Sequence, residues 1–356
     1  MNLTYECLEC LLKQAECTAG VQSLKSFQDS KESEKNKQKA LGAVEEIFAA
    51  LEGFQEFVSK NASPKNQKLT PKDKVKLQIL LKEFFQNQYP FLSPLENDFE
   101  IPPTMLAILV YDKICQALND VSPYAQIKLQ SIQKARNYKQ KFLELLREKL
   151  SHKASTKEVL EFAIRICVLG NVLDYGAQKQ FDLEEQAQKI LQSPFAYFDL
   201  RAFMSSLESA KDLVVIGDNA GENEFDEILI YALKALYPNL EIFYFVRGAE
   251  IINDITLSDL NKTDSAMLHL AKVVDSGVMS PGFLESLAHK EAREIYQEAD
   301  LILAKGMGNF ESMENAAKQD NRIFLLFKIK CNVVRDYLQQ NLGDFVFFSP
   351  FLHPIP

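Results

Sequence analysis

The sequence predicts an all-helical region over residues 1–208, followed by an α/β domain over residues 209–356 in which a mostly parallel sheet lies between two layers of helices. Apolar residues recur at helical spacing in the first region, whereas short apolar runs alternate with helical stretches in the second. Eight of the 13 glycines follow residue 210, where strand–helix connections need tight turns. A chain of 356 residues is also longer than one typical core, so two domains are expected.

The helical prediction for the first region depends on segments with apolar residues at i, i+3, i+4 and i+7. The clearest are "QKALGAVEEIFAALEGF", "PKDKVKLQILLKEFF", "KARNYKQKFLELLREKL" and "KEVLEFAIRICVLGNVLDYG". Several prolines stand where these helices could begin, which is a favoured place for proline. The Lys-rich stretch "SKESEKNKQK" is interpreted as a solvated surface.

Six short apolar runs in the second region are predicted strands. They are "LVVIG" (213–217), "IFYFV" (242–246), "AKVVD" (271–275), "LILAKG" (301–306), "IFLLFKI" (323–329) and "FVFF" (345–348). Helical patterns such as "FDEILIYALKAL" fill most of the gaps, and strand–helix alternation is typical of a parallel sheet covered on both faces.

Composition narrows the classes of function. The formal net charge is −9, which argues against a nucleic-acid partner and against an anionic membrane surface. No apolar run approaches the roughly 18 residues of a membrane span, and the first residues lack the pattern of a secretory signal. Six cysteines in a chain of this length do not indicate a disulfide framework, so reduced thiols and a cytoplasmic location are expected.

Polar side chains cluster where the predicted strands end, which is where parallel sheets bind ligands. Asp218 and Asn219 follow the first strand in "GDNAGE", and Asp254 follows the second in "NDIT". Each group alone could be a helix N-cap, for which Asp and Asn are favoured. Together they offer three oxygen ligands from neighbouring strand ends, a set that suits Mg²⁺, Mn²⁺ or a similar ion.

A lysine after the fourth strand suggests a site for phosphate. Lys305 opens "KGMGN", where Gly306 and Gly308 allow the backbone to approach an anion closely. Helix N-termini beyond the same strands would also favour an anion. The alternative is an ordinary surface lysine. The position of Lys305 directly after the apolar run "LILA", at a strand end, argues against it.

Taken together, these motifs resemble the damage-control metal phosphatase family, once known only as a domain of unknown function. The matching segments are "GDNAGE..FD", "VRG..IINDIT..D", "DSG...PG" and "KGMGNFE", with "CLECLLKQ", "SPYAQIK" and "GNVLDYG" in the first half. "KGMGN" and the N-terminal Cys pair are similar to the mainly prokaryotic subfamily. One departure is Glu250, where a proline is usual.

The resemblance implies roles for particular residues. The divalent metal (Mg²⁺, Mn²⁺, Co²⁺ or Ni²⁺) would be bound by Asp218, Asn219 and Asp254. The phosphate would be held by Lys305, with the backbone of Gly306, Gly308 and Asn309 beside it. The surrounding shell would consist of Arg247, Asn253, Thr256 and Asp259, and the substrate side would be shaped by Asn171 and Asp174.

The cysteines form a separate question. Cys7 and Cys10 share a helix face and Cys17 continues it, so they could simply be buried thiols. A lone C-x-x-C supplies half of a tetrahedral site. Cys331, a further position of the family, is the natural third partner for a structural metal.

The predicted function is metal-assisted hydrolysis of a phosphomonoester, catalysed by Asp218, Asp254 and Lys305. The resemblance implies that the substrate is a small sugar phosphate or a damaged phosphometabolite. Attack by metal-bound water and attack by Asp218 through an aspartyl-phosphate both remain open. One alternative is an S-adenosylmethionine-dependent methyltransferase, although "GDNAGE" lacks the G-x-G-x-x-G spacing. The other is a non-enzymatic metal or redox scaffold built on the cysteines.

Overall fold

The computed structural model describes residues 1–25, 30–59, 67–88, 99–172 and 183–353. The α-helices within these ranges are α1 Tyr5–Lys25, α2 Ser30–Phe48, α3 Glu52–Ser59, α4 Pro71–Gln88, α5 Pro103–Leu118, α6 Ala125–Ser151, α7 Thr156–Cys167, α8 Leu183–Gln192, α9 Leu200–Leu207, α10 Glu222–Leu236, α11 Leu257–Lys262, α12 Met267–Leu270, α13 Lys290–Glu298, α14 Met307–Ala317 and α15 Asn332–Leu338. Short 3₁₀ helices cover Val168–Val172 and Glu285–Leu287. None of the described helices combines the length and hydrophobicity needed to cross a bilayer.

The strands form one seven-stranded sheet in the order β1-β7-β6-β5-β2-β3-β4. Their bounds are β1 Tyr197–Phe198, β2 Asp212–Ile216, β3 Glu241–Val246, β4 Lys272–Asp275, β5 Leu301–Lys305, β6 Ile323–Lys328 and β7 Phe345–Phe348. Every pair is parallel except β6 with β7. The prediction of a mostly parallel sheet is therefore confirmed, and each of the six predicted strands is present.

Two features of the sheet were not predicted. β1 has only two residues, too few to show an alternating or apolar pattern, and it pairs with β7 through Tyr197 and Phe198. β7 runs antiparallel to β6, although α15 lies between the two strands in the chain. Both exceptions lie at one edge of the sheet, away from the exits of β2, β3 and β5.

Helices cover both faces of the sheet. Successive side chains of β2 point to opposite faces and pack into two different hydrophobic clusters. Val214 and Ile216 belong to one hydrophobic cluster, whereas Leu213 and Val215 belong to the other. The first cluster includes side chains of α1, α5 and α14, and the second includes side chains of α6, α7 and α10. Strands that are buried on both faces need continuous apolar sequence, which is the pattern seen in "LVVI".

Both hydrophobic clusters contain residues from before and after position 208. Leu106 of α5 lies in the same cluster as Ile216, and Leu160 of α7 lies in the same cluster as Val215. The N-terminal helices thus pack on both sides of the sheet, where α5 lies against α14 and where α6 and α7 lie against α10. The boundary at 208/209 remains a prediction about domains, and the packing indicates that the two segments stabilise each other.

We expect a fragment of residues 209–356 to lack a cooperative thermal unfolding transition. Without α5, α6 and α7, the apolar side chains of α14 and α10 that pack against them would be exposed to water, at a cost of about 25 cal/mol for each Å² uncovered. Circular dichroism with temperature, alongside binding of a hydrophobic dye, measures this. The full chain is the control and should unfold in one transition; a sharp transition for the fragment would instead establish an independent domain.

Candidate active site

A cavity of about 570 Å³ lies beyond the carboxyl ends of β2 and β3. Asp218, Asn219 and Asp254 all line it, as does Asn253. Backbone hydrogen bonds join the two exit loops: the amide of Ile255 donates to the carbonyl of Asp218 at 2.9 Å, and the pair Asn219 and Asp254 forms a β-bridge. The three predicted metal ligands are therefore brought together by strand pairing.

The two carboxylates are buried close to each other and to a third acid. Asp218 is 6% exposed and Asp254 is 3% exposed. Burial, followed by the charges of Glu222 and Asp254, raises the pKa of Asp218 well above its usual value. Burial also raises the pKa of Asp254 to about 6, although Arg247 opposes the shift through a 2.7 Å hydrogen bond from Nε to Oδ2. Arg247 alone does not remove the cost of burying these acids together.

The donor set fits a divalent cation. Both amide hydrogens of Asn219 are used, since Nδ2 donates to Asp218 Oδ2 and to Glu222 Oε1 at 2.9 Å each. The carbonyl oxygen of Asn219 is then the part of the side chain left to bind an ion. Two carboxylates and one amide oxygen, with the cavity providing room for water, make the oxygen-rich coordination that Mg²⁺ and Mn²⁺ accept.

Glycine is required beside Asp218. Gly306 has a φ of 89°, and a Cβ at this position would lie 2.2 Å from the carboxylate of Asp218. A Cβ on Gly308 would lie 2.3 Å from the carbonyl oxygen of Pro281. The "KGMGN" turn thus brings the start of α14 against the carboxylate, and Gly308 lines the cavity.

Lys305, which the resemblance implies would hold the phosphate, lies among buried acids. Its side chain is fully buried, and the ammonium contacts Asp226 and, at 3.3 Å, Glu222. Burial alone would lower the pKa of Lys305, but the neighbouring groups, with Asp226 first and Glu222 among the others, together outweigh it, and the pKa lies well above its usual value. Lys305 is not among the residues that line the cavity. This placement makes it the counter-ion of two buried acids.

Several residues predicted to surround the substrate form hydrogen bonds that hold the loops together. Asn309 accepts from the amide of Phe283 at 2.7 Å and donates to the carbonyl of Lys305 at 2.6 Å. Thr256 and Asp259 form a capping box at the start of α11. None of these side chains lines the cavity, whereas Asn253 does.

The two predicted residues of "GNVLDYG" are not tested by the structure. Asn171 lies in a 3₁₀ helix, but its side chain is outside the described part of the chain, and Asp174 lies outside the described residues altogether.

Lys330 is a basic side chain of the cavity that the sequence analysis did not single out. It follows β6 by two residues in "KIKC", is exposed, and lines the cavity with Asp218. Its charge opposes the rise in the pKa of Asp218. The signal available in the sequence was its position at a strand exit, the same signal that identified Lys305. Strand position alone does not show which of the two ammonium groups reaches the cavity.

The loop that carries Asp254 is tied to the N-terminal helices by a buried ion pair. Lys128 of α6 is fully buried and contacts Glu250 at 2.8 Å as well as the carboxylate of Asp259. Glu250 is the residue that departs from the proline usual in the resembling family. A charged residue there is accommodated because Lys128 neutralises it.

Ile252 has a backbone conformation that its residue type disfavours. Its φ is 46°, in the left-handed region, where a β-branched residue is an outlier that costs about 1–3 kcal/mol. The other non-glycine residues with positive φ in the described chain are Asn119, Lys153, Asp264 and Gln339. Ile252 directly precedes Asn253 and Asp254 and lines the cavity.

The three candidate cysteines line the same cavity as the predicted metal ligands. Cys7 is buried, Cys331 is half-buried and Cys10 is exposed. Burial raises the pKa of Cys7 to about 12 and that of Cys331 to about 11, so both are thiols at neutral pH. In the described chain, no three His, Cys, Asp or Glu side chains are arranged to hold an ion. A structural metal on these cysteines stays a prediction.

Comparison with known proteins shows the family to which the chain belongs. A model of the damage-control phosphatase ARMT1-like domain matches residues 3–346. A damage-control phosphatase of Pyrococcus horikoshii is 31% identical over 245 residues, which are 68% of this chain and 80% of the relative. One from Archaeoglobus fulgidus is 29% identical over 249 residues, again 68% of this chain and 80% of the relative.

A crystal structure of a DUF89 family protein from Pyrococcus horikoshii has the same fold. It superposes with a TM-score of 0.69 at 24% identity, covering 98% of this chain and 99% of that one. With the family match over nearly the whole length, the chain belongs to the damage-control phosphatase family that carries the ARMT1-like domain.

Proposed function

We propose that this protein is a metal-dependent phosphomonoester hydrolase that acts on a small phosphorylated metabolite. The observation that carries the proposal is the pair of buried carboxylates, Asp218 and Asp254, facing one cavity together with Lys330. A cation and a phosphate are the two partners that such a mixed set of charges would bind together.

Asp218, Asn219 and Asp254 would hold the divalent ion. When bound, the ion would polarise a phosphoryl oxygen and help to position the attacking group. Arg247 keeps Asp254 oriented by its hydrogen bond, and Asn219 does the same for Asp218. These contacts fix the ligand side chains in advance, so that little reorganisation is needed when substrate arrives.

The phosphate would be bound by Lys330 and by the first turn of α14. Lys330 supplies a flexible positive charge on the cavity wall. The first amides of α14, around Gly308, have no partner within the helix and carry the positive end of its dipole. Lys305 would not contact the phosphate. It would neutralise Glu222, which accepts a hydrogen bond from Asn219 and so holds that side chain in position.

Metal-stripped protein should release no phosphate from p-nitrophenyl phosphate, and activity should return on adding Mg²⁺, Mn²⁺, Co²⁺ or Ni²⁺. The reason is that the buried carboxylates would repel the substrate phosphate without an intervening cation. Asp254→Asn should weaken ion binding in a direct titration and regain part of its activity at higher metal concentration. Full activity in the presence of a strong chelator would rule out the proposed function.

Lys330→Met should lower kcat/KM by about 10²–10³, since it removes one charge partner of the transferring phosphoryl group. Metal affinity should change little, because Lys330 is not placed as an ion ligand. Steady-state kinetics with a parallel metal titration separates the two effects. Lys328→Met is the matched control: Lys328 lies over the Phe345 ring and should leave turnover close to that of the parent protein. Undiminished turnover in Lys330→Met would remove Lys330 from the reaction.

Lys305→Met should reduce the free energy of unfolding by about 3–5 kcal/mol, because it leaves Glu222 and Asp226 buried without their counter-ion. Urea unfolding measures the change. Lys272→Met is the control, since Lys272 pairs with Glu241 on the surface and should cost less than about 1 kcal/mol. A stable Lys305→Met protein that has lost only turnover would favour the original prediction of direct phosphate contact.

A further inference from the structure

The cavity is larger than the phosphate chemistry requires. Its volume of about 570 Å³ lies in the range of pockets that hold ligands of drug size, roughly 300–1,000 Å³. An ion and a phosphate group occupy on the order of 150 Å³, if each group of water size takes about 30 Å³. Most of the space is therefore available to the alcohol part of the substrate.

One helix face gives this space an apolar wall. Ala107, Val110 and Tyr111 of α5 stand at spacings of three and four residues, so they share a face, and all three are buried and line the cavity. Ile252 and Met307 extend the apolar surface next to the predicted ligands. Apart from the hydroxyl of Tyr111, this wall offers a ligand hydrophobic contact, and it carries no charge.

The polar side chains of α1 that line the cavity are largely engaged with other protein groups. Lys13 pairs with Glu9 at 2.9 Å, and Gln14 donates to the hydroxyl of Tyr124 at 2.8 Å. A polyol would have to compete with these partners for hydrogen bonds, whereas an apolar segment would only displace water from the α5 face.

Ile252 indicates that the apolar wall is a requirement of the site. Asn or Gly would adopt its left-handed backbone with less strain. Yet the residue is isoleucine, and its side chain packs with the cluster of Tyr111, Tyr124 and Ile251 while lining the cavity. Compared with Asn or Gly, isoleucine at this position adds apolar surface to the cavity beside the proposed ion site.

We propose that the substrate is a phosphomonoester whose alcohol part carries an apolar segment, which packs on Ile252 and the α5 face. This class is narrower than small phosphorylated metabolites in general, and it excludes compact polyols such as unmodified hexose phosphates as the best substrates. The proposal rests on the proposed phosphatase function and assigns specificity within it.

The test is the rate of hydrolysis of n-alkyl phosphates from ethyl to hexyl, with glucose 6-phosphate as the compact polyol, using the full chain loaded with metal. We expect kcat/KM to rise about fourfold with each added CH₂, the factor that corresponds to about 0.8 kcal/mol per buried methylene. Hexyl phosphate should also be a better substrate than glucose 6-phosphate.

Two variants at one position examine the wall itself. Ile252→Asn accepts the left-handed backbone but removes the apolar surface, so the gain per CH₂ should fall below about twofold. Ile252→Val keeps a β-branched apolar side chain and should retain most of the gain. The readout is the kcat/KM for hexyl phosphate divided by the kcat/KM for ethyl phosphate. This ratio cancels any change in turnover that is common to all substrates.

The outcomes are distinguishable. A flat alkyl series, or preference for glucose 6-phosphate, in an active enzyme overturns the assignment of substrate class and leaves the phosphatase function standing. If kcat/KM rises as steeply with each CH₂ in Ile252→Asn as in the parent protein, Ile252 does not contribute to the apolar wall. Hydrolysis of no phosphomonoester at all would overturn the proposed function together with this inference.

Discussion

The site depends on a buried ammonium between two carboxylates. Lys305, at the end of β5, contacts Glu222 and Asp226 of α10, and all three side chains have at most 1% exposure. Charges without access to water must be matched by partners, so their positions are tightly constrained. Glu222 transmits this constraint to Asn219 through a hydrogen bond, and Asp226 accepts one from Tyr244 of β3 at 2.7 Å. Neighbouring strand ends are thereby fixed around one point.

The N-terminal helices complete the site from the other side. α6 provides Lys128, which ties down the loop carrying Asp254, while α5 and α1 form walls of the cavity. The sheet edge supplies the charged groups, and the helices decide the shape and polarity of the space in front of them. Groups from distant parts of one chain thus meet in a single cavity.

The strands and the clustering of the candidate metal ligands were accessible from the sequence because both depend on local pattern. A strand buried on two faces needs a continuous apolar run, as in "LVVI" and "LILA", and the residues directly after it must lie at the carboxyl edge of the sheet. That reasoning was sufficient to bring Asp218, Asn219 and Asp254 together. It was insufficient for β1, whose two residues carry no pattern, and for the direction of β7.

The sequence by itself determined the parallel sheet and the collection of polar groups at its edge, since both follow from periodicity along the chain. Only the tertiary structure decided which lysine faces the cavity: Lys305 and Lys330 both follow strands, but α10 places two acids beside the first. It also decided that Cys7, Cys10 and Cys331 share the cavity with Asp254. Such assignments depend on which distant elements pack together, and spacing along a chain does not encode distances between helices and strands that meet only on folding.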